Sequence, residues 1–168
     1  MAGYPNYSLP ISEMVRVLFV CLGNICRSPL AEAIFNQMIQ EEGLTQEISC
    51  DSAGTGDWHV GELPDPRTRE VAQLYEVPLD HRGRQFSPTD FASYDYIIAM
   101  DQKNKADIQS LAPTVESETY QLFLMREFEN PQRDLNVPDP YWGGEQGFDD
   151  MYHLLRECCI NLLSHIRK

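Results

Sequence analysis

The sequence predicts an α/β fold of three layers, a four-stranded parallel sheet with helices on both faces. Three observations carry that prediction. Short β-branched and aromatic runs alternate with longer stretches of helical periodicity along the 168 residues, and such alternation implies a parallel sheet covered on both sides. The first run, Arg16 to Val20 (Arg-Val-Leu-Phe-Val), has the mark of a buried strand. The length suits one domain able to bury most of its unfolded-chain surface.

Taken in order, residues 1–14 read as an irregular extension (Pro5, Ser8, Pro10, Ser12) without assigned function, and residues 15–168 as the single domain. After the first strand, Ser28-Pro29 reads as a helix start, with a hydroxyl at the N-cap and a proline at the first helical position. Ala31, Ile34, Phe35, Met38 and Ile39 then recur at helical spacing until Gly43, a natural stop. A strand is expected at Glu47–Ser52 and a helix from Asp65-Pro66 toward Tyr75. The next strand is expected at Tyr94–Met100, followed by a helix after Asp101, whose carboxylate orients that helix as its N-cap or else an arginine, and a strand near Thr119–Phe123. The last helix is expected from the acidic turn Phe148-Asp149-Asp150 to Ile166, on the apolar stripe Met151, Leu155, Cys158, Leu162 and Ile166. That stripe accounts for Cys158 and Cys159, and Cys50 is read likewise as a small buried hydrophobe. The prolines and glycines of Val137–Gly147 form a long loop placed to fold over the rim of a flavodoxin/Rossmann-like sheet, where ligands gather at strand carboxyl ends.

Composition narrows the partners. A net charge of −13 argues against nucleic acid, whose phosphates need cations to neutralise them. The N-terminus lacks the basic region and apolar stretch of a signal peptide, and no apolar run reaches membrane-spanning length. Five cysteines without framework spacing suit a reducing cytoplasm. The four histidines show no metal-ligand spacing, so neither metal nor cofactor is expected.

The chemistry concentrates between Val20 and Pro29, Val-Cys-Leu-Gly-Asn-Ile-Cys-Arg-Ser-Pro. A loop from a strand end into a helix N-terminus aims backbone N–H groups and the helix dipole at one small volume, an anion site. It is not a nucleotide P-loop, having one glycine and an arginine where lysine is needed, nor a dinucleotide fingerprint, which needs three glycines. What remains is Cys-x5-Arg-Ser. Thiols beside a helix N-terminus and an arginine drop to roughly 3.5–7.5, which would make Cys21 a thiolate nucleophile. Arg27 offers a planar fork for two phosphate oxygens, and the amides of Leu22, Gly23, Asn24, Ile25 and Cys26 would hold the rest. Ser28 can donate to the sulfur, and Asn24 tolerates left-handed backbone angles.

Cys21 to Pro29 resembles the signature loop of the low-molecular-weight protein tyrosine phosphatases, and Asp139-Pro140-Tyr141-Trp142-Gly143 resembles that family's second element. Lesser matches are Asp51-Ser52-Ala53-Gly54-Thr55, Asp57-Trp58, His81 with Arg84, and Asp95 to Asp101, so the resemblance spans roughly Val15 to the C-terminus. It implies hydrolysis of phosphotyrosine through a cysteinyl-phosphate, with Asp139, stiffened between Pro138 and Pro140, as proton donor to the leaving oxygen. Trp58, Tyr141 and Trp142 would form an aromatic rim that favours phosphotyrosine over the shorter phosphoserine. The resemblance further implies that Asn24, Ser52 and His81 brace the loop and that Cys21 and Cys26 bridge on oxidation. Implied partners are phosphotyrosine-containing proteins, with weak self-association. Animal members often carry two tyrosines where this chain has Tyr141-Trp142. Two alternatives stand beside this reading. One class of arsenate reductase resembles this fold and shares the loop, but relays electrons through a further cysteine pair, and Trp58 to Arg133 contains no cysteine. A non-catalytic phosphotyrosine-binding module would normally lack Cys21 or Asp139.

Overall fold

The structure, a computed structural model, describes residues 14–113 and 119–168. The N-terminal extension therefore lies, Met14 apart, outside the described residues. Among the described residues four strands form, β1 (Val15–Cys21), β2 (Ile48–Gly54), β3 (Tyr96–Ala99) and β4 (Gln121–Leu124). All are parallel, in the order β2-β1-β3-β4. The chain starts in the middle of the sheet and later elements extend it in both directions. The carboxyl end of β1 thus sits at the point where the order reverses, the crevice in which open α/β sheets bind ligands.

The period-two alternation of β1 feeds two cores. Val17, Phe19 and Cys21 face one, shared with α1 (Arg27–Glu41) and α5 (Glu145–Ile166), against which α2 (Pro66–Leu74) packs. Leu18 and Val20 face the other, with Phe91 of α3 (Asp90–Ser93) and Ile108 of α4 (Gln102–Ser110). On α1 the residues Leu30, Ala31, Ile34, Phe35 and Ile39 are buried, and the Phe35 ring meets Phe19 edge to face at 5.6 Å. Burying an aliphatic or aromatic side chain of this size contributes about 1.5–3 kcal/mol, so this stripe anchors the helix that carries the loop. Among the described residues no helix is long and apolar enough to cross a membrane.

Two helix starts differ from the sequence expectation. α1 begins at Arg27, with Cys26 at the N-cap position and no side-chain cap. Ser28 is instead inside the first turn and fully buried, because its hydroxyl is drawn to Cys21 and Asn24 rather than to the helix amides. α5 begins at Glu145, ahead of the acidic turn. Gly147 suggests a break, but it falls in the first turn, where Gly147 N donates to Gly144 O at 3.1 Å. The short α3 and two 3-10 turns, Met125–Phe128 and Pro140–Trp142, were not expected.

The excursion from β4 to α5 is pinned at its base by Glu129, whose side chain has no exposed surface. Its carboxylate accepts from Arg126 Nε and Nη2 at 3.1 and 2.9 Å and from Arg133 N and Nη2 at 2.7 and 2.8 Å. Arg126 Nη1 also holds Asn136 O at 2.9 Å, and Val137 N donates to Met100 O at 2.8 Å. The loop is thereby led back to the carboxyl end of the sheet just before Asp139. Burial opposes the Glu129 charge, but the two arginines outweigh it and hold the carboxyl at about 2. A depressed carboxyl stabilises the fold above its ordinary range and loses that contribution as pH falls toward its folded value. Glu129→Gln, which strands the buried guanidinium of Arg126, is therefore expected to cost about 3–5 kcal/mol at pH 7 in urea unfolding. That gap should narrow by about 2 kcal/mol at pH 3; a gap of equal size at both pH values would refute the assignment.

Candidate active site

Five residues, Leu22 to Cys26, turn the chain from β1 into α1. Their flanks are fastened through carbonyls, with Thr55 N donating to Cys21 O, Gly56 N to Leu22 O and Asp65 N to Ile25 O, each at 2.9 Å. Among the described residues, no backbone N–H from Leu22 to Cys26 donates to a protein acceptor. These donors, together with the free N–H groups and dipole of the first turn of α1, make a concave site for an anion. The loop needs close company from β2. A Cβ at Gly54 would come within 2.8 Å of Leu22 O, and one at Gly56 within 2.0 Å of the Trp58 ring.

Asn24 holds the loop's shape. It adopts φ 56°, a left-handed conformation that asparagine tolerates better than most residues. Its buried amide uses every hydrogen-bonding site it has. Nδ2 donates to Ser28 Oγ at 2.8 Å and Ser52 Oγ at 3.0 Å, while Oδ1 accepts from Arg84 N at 3.0 Å and faces His81 Nε2 at 2.7 Å. Because Arg84 N is an unambiguous donor, the orientation of the amide is settled and the polarity of the network follows. Ser52, having accepted from Asn24, gives its proton to Glu32 Oε1 at 2.8 Å. Ser28, likewise an acceptor from Asn24, has its proton within reach of Cys21 Sγ at 2.9 Å and of Ala53 O at 3.4 Å. His81 Nδ1 faces Glu32 Oε1 at 3.0 Å, and Asp51 is taken up by Arg84 Nε at 3.0 Å. Glu32, Asp51 and His81 approach one another as metal ligands do, but their polar atoms are committed to this network.

Arg27 is 3 % exposed and is oriented by three oxygens. Nη1 donates to Asp101 Oδ2 at 2.7 Å and Val137 O at 3.0 Å, and Nη2 lies 3.5 Å from Asp139 Oδ2. Burial disfavours the guanidinium charge, yet Cys21, Asp101 and Asp139 outweigh it and hold it more firmly protonated than an ordinary arginine. Asp101 performs both duties that the sequence offers for it. Oδ1 caps α4 through Asn104 N at 2.7 Å, while Oδ2 takes Arg27. Asp139 Oδ1 accepts from Tyr141 N at 3.1 Å, starting the 3-10 turn that carries the two aromatic residues.

These parts enclose a cavity of about 300 Å³ lined by Cys21, Leu22, Gly23, Ile25, Cys26, Arg27, Trp58, His59, Asp139, Tyr141 and Trp142. Trp58 and Trp142 are 66 % and 88 % exposed, and Tyr141 meets Trp142 edge to face with centroids 4.8 Å apart. Asn24, Ser28, Ser52 and His81 lie behind the loop, outside the lining. Burial, with Asp65, Cys21 and Asp139 nearby, pushes the Cys26 thiol up to about 12. Burial likewise raises Cys50, Cys158 and Cys159, away from this cavity. Sequence reasoning missed His59, whose Nδ1 meets Glu62 at 2.6 Å, and the partners Glu32 and Arg67. The one available signal was position, since His59 follows Trp58 directly.

A parallel α/β sheet whose first loop brings a thiol, a buried arginine and unpaired amides to one cavity defines a phosphatase architecture. A family profile described as "Low molecular weight phosphotyrosine protein phosphatase" matches residues 16–168, and the chain belongs to that family. A Schizosaccharomyces pombe protein bearing the family's name is 42 % identical over 157 residues, covering 93 % of this chain and 99 % of its own. The Sus scrofa protein of the same name is 36 % identical, over 90 % of this chain and 95 % of its own. Among solved structures, a protein tyrosine phosphatase from Entamoeba histolytica is 40 % identical with a TM-score of 0.85, covering 91 % of this chain and 97 % of its own. A drosophila arginine phosphatase is similar to the same extent, with a TM-score of 0.85 and 34 % identity over 90 % of this chain and 98 % of its own.

Proposed function

We propose that the protein removes phosphate from phosphotyrosine in proteins through a cysteinyl-phosphate formed on Cys21. The observation that carries this reading is the convergence of Cys21, Arg27, Asp139 and the unpaired amides on one cavity rimmed by aromatic rings. The Cys21 thiolate attacks phosphorus in line, while Arg27 and the N–H groups of Leu22 to Arg27 hold the equatorial oxygens. Asp139 protonates the departing phenolic oxygen, which leaves poorly as an anion. Water then attacks the thiophosphate with Asp139 taking its proton, and the Ser28 hydroxyl stabilises the sulfur as it departs. An aryl leaving group is favoured over a guanidino one by the lining itself. Leu22, Ile25, Trp58, Tyr141 and Trp142 are apolar or aromatic, and Asp139 is the one carboxylate among the lining residues.

Cytoplasmic location belongs to the same proposal, supported by five free cysteines. So does weak self-association, for which the exposed Trp58 and Trp142 rings offer apolar area. On oxidation, peroxide would convert Cys21 to a sulfenic acid, and the Cys26 thiol in the same cavity would condense with it, releasing water.

Turnover of p-nitrophenyl phosphate, measured with and without chelator, is the direct test of the activity. Cys21→Ser should lose several orders of magnitude in rate while still binding inorganic phosphate; retention of a tenth of the wild-type rate would remove Cys21 as nucleophile. Asp139→Ala should slow phenyl phosphate by roughly 10²-fold or more and an activated nitrophenyl ester far less. Equal losses on the two esters would count against the acid role. Peroxide inactivation should be reversed by thiols, with mass spectrometry finding a Cys21–Cys26 bridge, and in Cys26→Ser excess peroxide should carry Cys21 on to the sulfinic acid, which thiols do not reverse. Reversibly inactivated wild type whose mass shows no Cys21–Cys26 bridge would exclude it.

A further inference from the structure

We propose that Arg67 is a positioning residue: its guanidinium ties the loop that carries Asp139 to the loop that carries Cys21 and so sets where the proton donor stands. The inference rests on the activity proposed above. Asp65 lies directly behind the anion loop, its N–H donating to Ile25 O at 2.9 Å. Its carboxylate, 8 % exposed, accepts from Arg67 Nε at 3.1 Å and Nη2 at 3.0 Å and from Arg67 N at 2.8 Å. The same Nη2 reaches across to donate to Tyr141 O at 3.1 Å. Tyr141 in turn gives its N–H to Asp139 Oδ1 at 3.1 Å. An unbroken line of hydrogen bonds therefore runs from Ile25 through Asp65, Arg67 and Tyr141 to the Asp139 carboxylate.

Packing fixes the guanidinium in that position. Its carbon lies 4.6 Å from the Phe148 ring centroid and 5.5 Å from that of Tyr141, so the cation is held between α5 and the aromatic rim. The role suits arginine and not lysine. A planar fork can meet both carboxylate oxygens edge-on and still keep an N–H for a carbonyl, which a point ammonium cannot do in one pose. Arg67 lies outside the cavity lining, so its effect passes through Tyr141 and Asp139 rather than through the phosphate.

The test uses two variants of the full chain, Arg67→Met and Arg67→Lys, with kcat/KM measured on phenyl phosphate and on p-nitrophenyl phosphate, and Ki for inorganic phosphate. Both variants should lose roughly tenfold on phenyl phosphate, part of the 10²–10⁴-fold that a positioned general acid supplies, and much less on the nitrophenyl ester. Ki for phosphate should stay within about twofold, because Asp65 holds Ile25 O through its own N–H, which the substitutions leave in place. In an Asp139→Ala background the Arg67 substitutions should add almost nothing, since residues acting as one unit are not additive. Equal losses on both esters, a weakened phosphate Ki, or full additivity with Asp139→Ala would each overturn the positioning role. A wild type that turns over neither ester would sink the activity and this inference together. A wild type that turns over both beside additive variants would sink the inference alone.

Discussion

The shape of the site depends on the amide of Asn24. An anion loop is an unstable object by itself, because it must hold a row of N–H groups inward with no protein acceptor. Something outside must absorb that strain, and here a left-handed residue does so with all four of its hydrogen-bonding sites filled. Burying an amide left half-satisfied would cost about 1–3 kcal/mol per missing partner, so the arrangement is stable only as a whole. It also has a direction. Arg84 N donates to Asn24 and Asn24 donates to Ser28, whose hydroxyl lies 2.9 Å from Cys21 Sγ. Loop shape and sulfur environment are thus consequences of one network.

The surroundings explain how an acidic protein holds an anion at all. With a net charge of −13 the long-range field repels phosphorylated peptides. Attraction is confined to amides and to Arg27, a buried cation whose neighbours are Asp101 and Asp139. Beyond a Debye length of about 8 Å the repulsion is largely screened at physiological salt, while inside the cavity the local donors dominate. Flat aromatic surface at the rim adds affinity that owes nothing to charge.

The fold was legible in the sequence because each strand and helix carries its own local signal. Arg-Val-Leu-Phe-Val could only be a buried strand, and Asp65-Pro66 could hardly be anything but a helix start. Local signals failed where distant demands intervened. Ser28-Pro29 has the composition of a cap, but the hydroxyl is claimed by a sulfur seven residues back, and the helix starts without it. Phe148 looked like the first turn of α5 because Gly147 hid the turn before it. In the site, Cys21 and Arg27 announced themselves by spacing within one loop. Their supports did not. Asp101 reaches Arg27 across 74 positions and Arg67 reaches Tyr141 across another 74, and nothing near either residue says which partner it will meet. Contacts of that kind are decided by the order of strands, which local pattern does not contain.

The way Arg27 is tethered bears on the end of the catalytic cycle. Nη1 is gripped by Asp101 and Val137, while Nη2 only leans toward Asp139. On the proposed chemistry, the arm free to welcome an oxyanion is also the arm with a carboxylate waiting nearby. When product leaves, Asp101 still balances the buried guanidinium through Nη1, and Asp139 stands 3.5 Å from the vacated Nη2. The acid of the reaction is therefore also a standing neighbour of the arm that receives the phosphate.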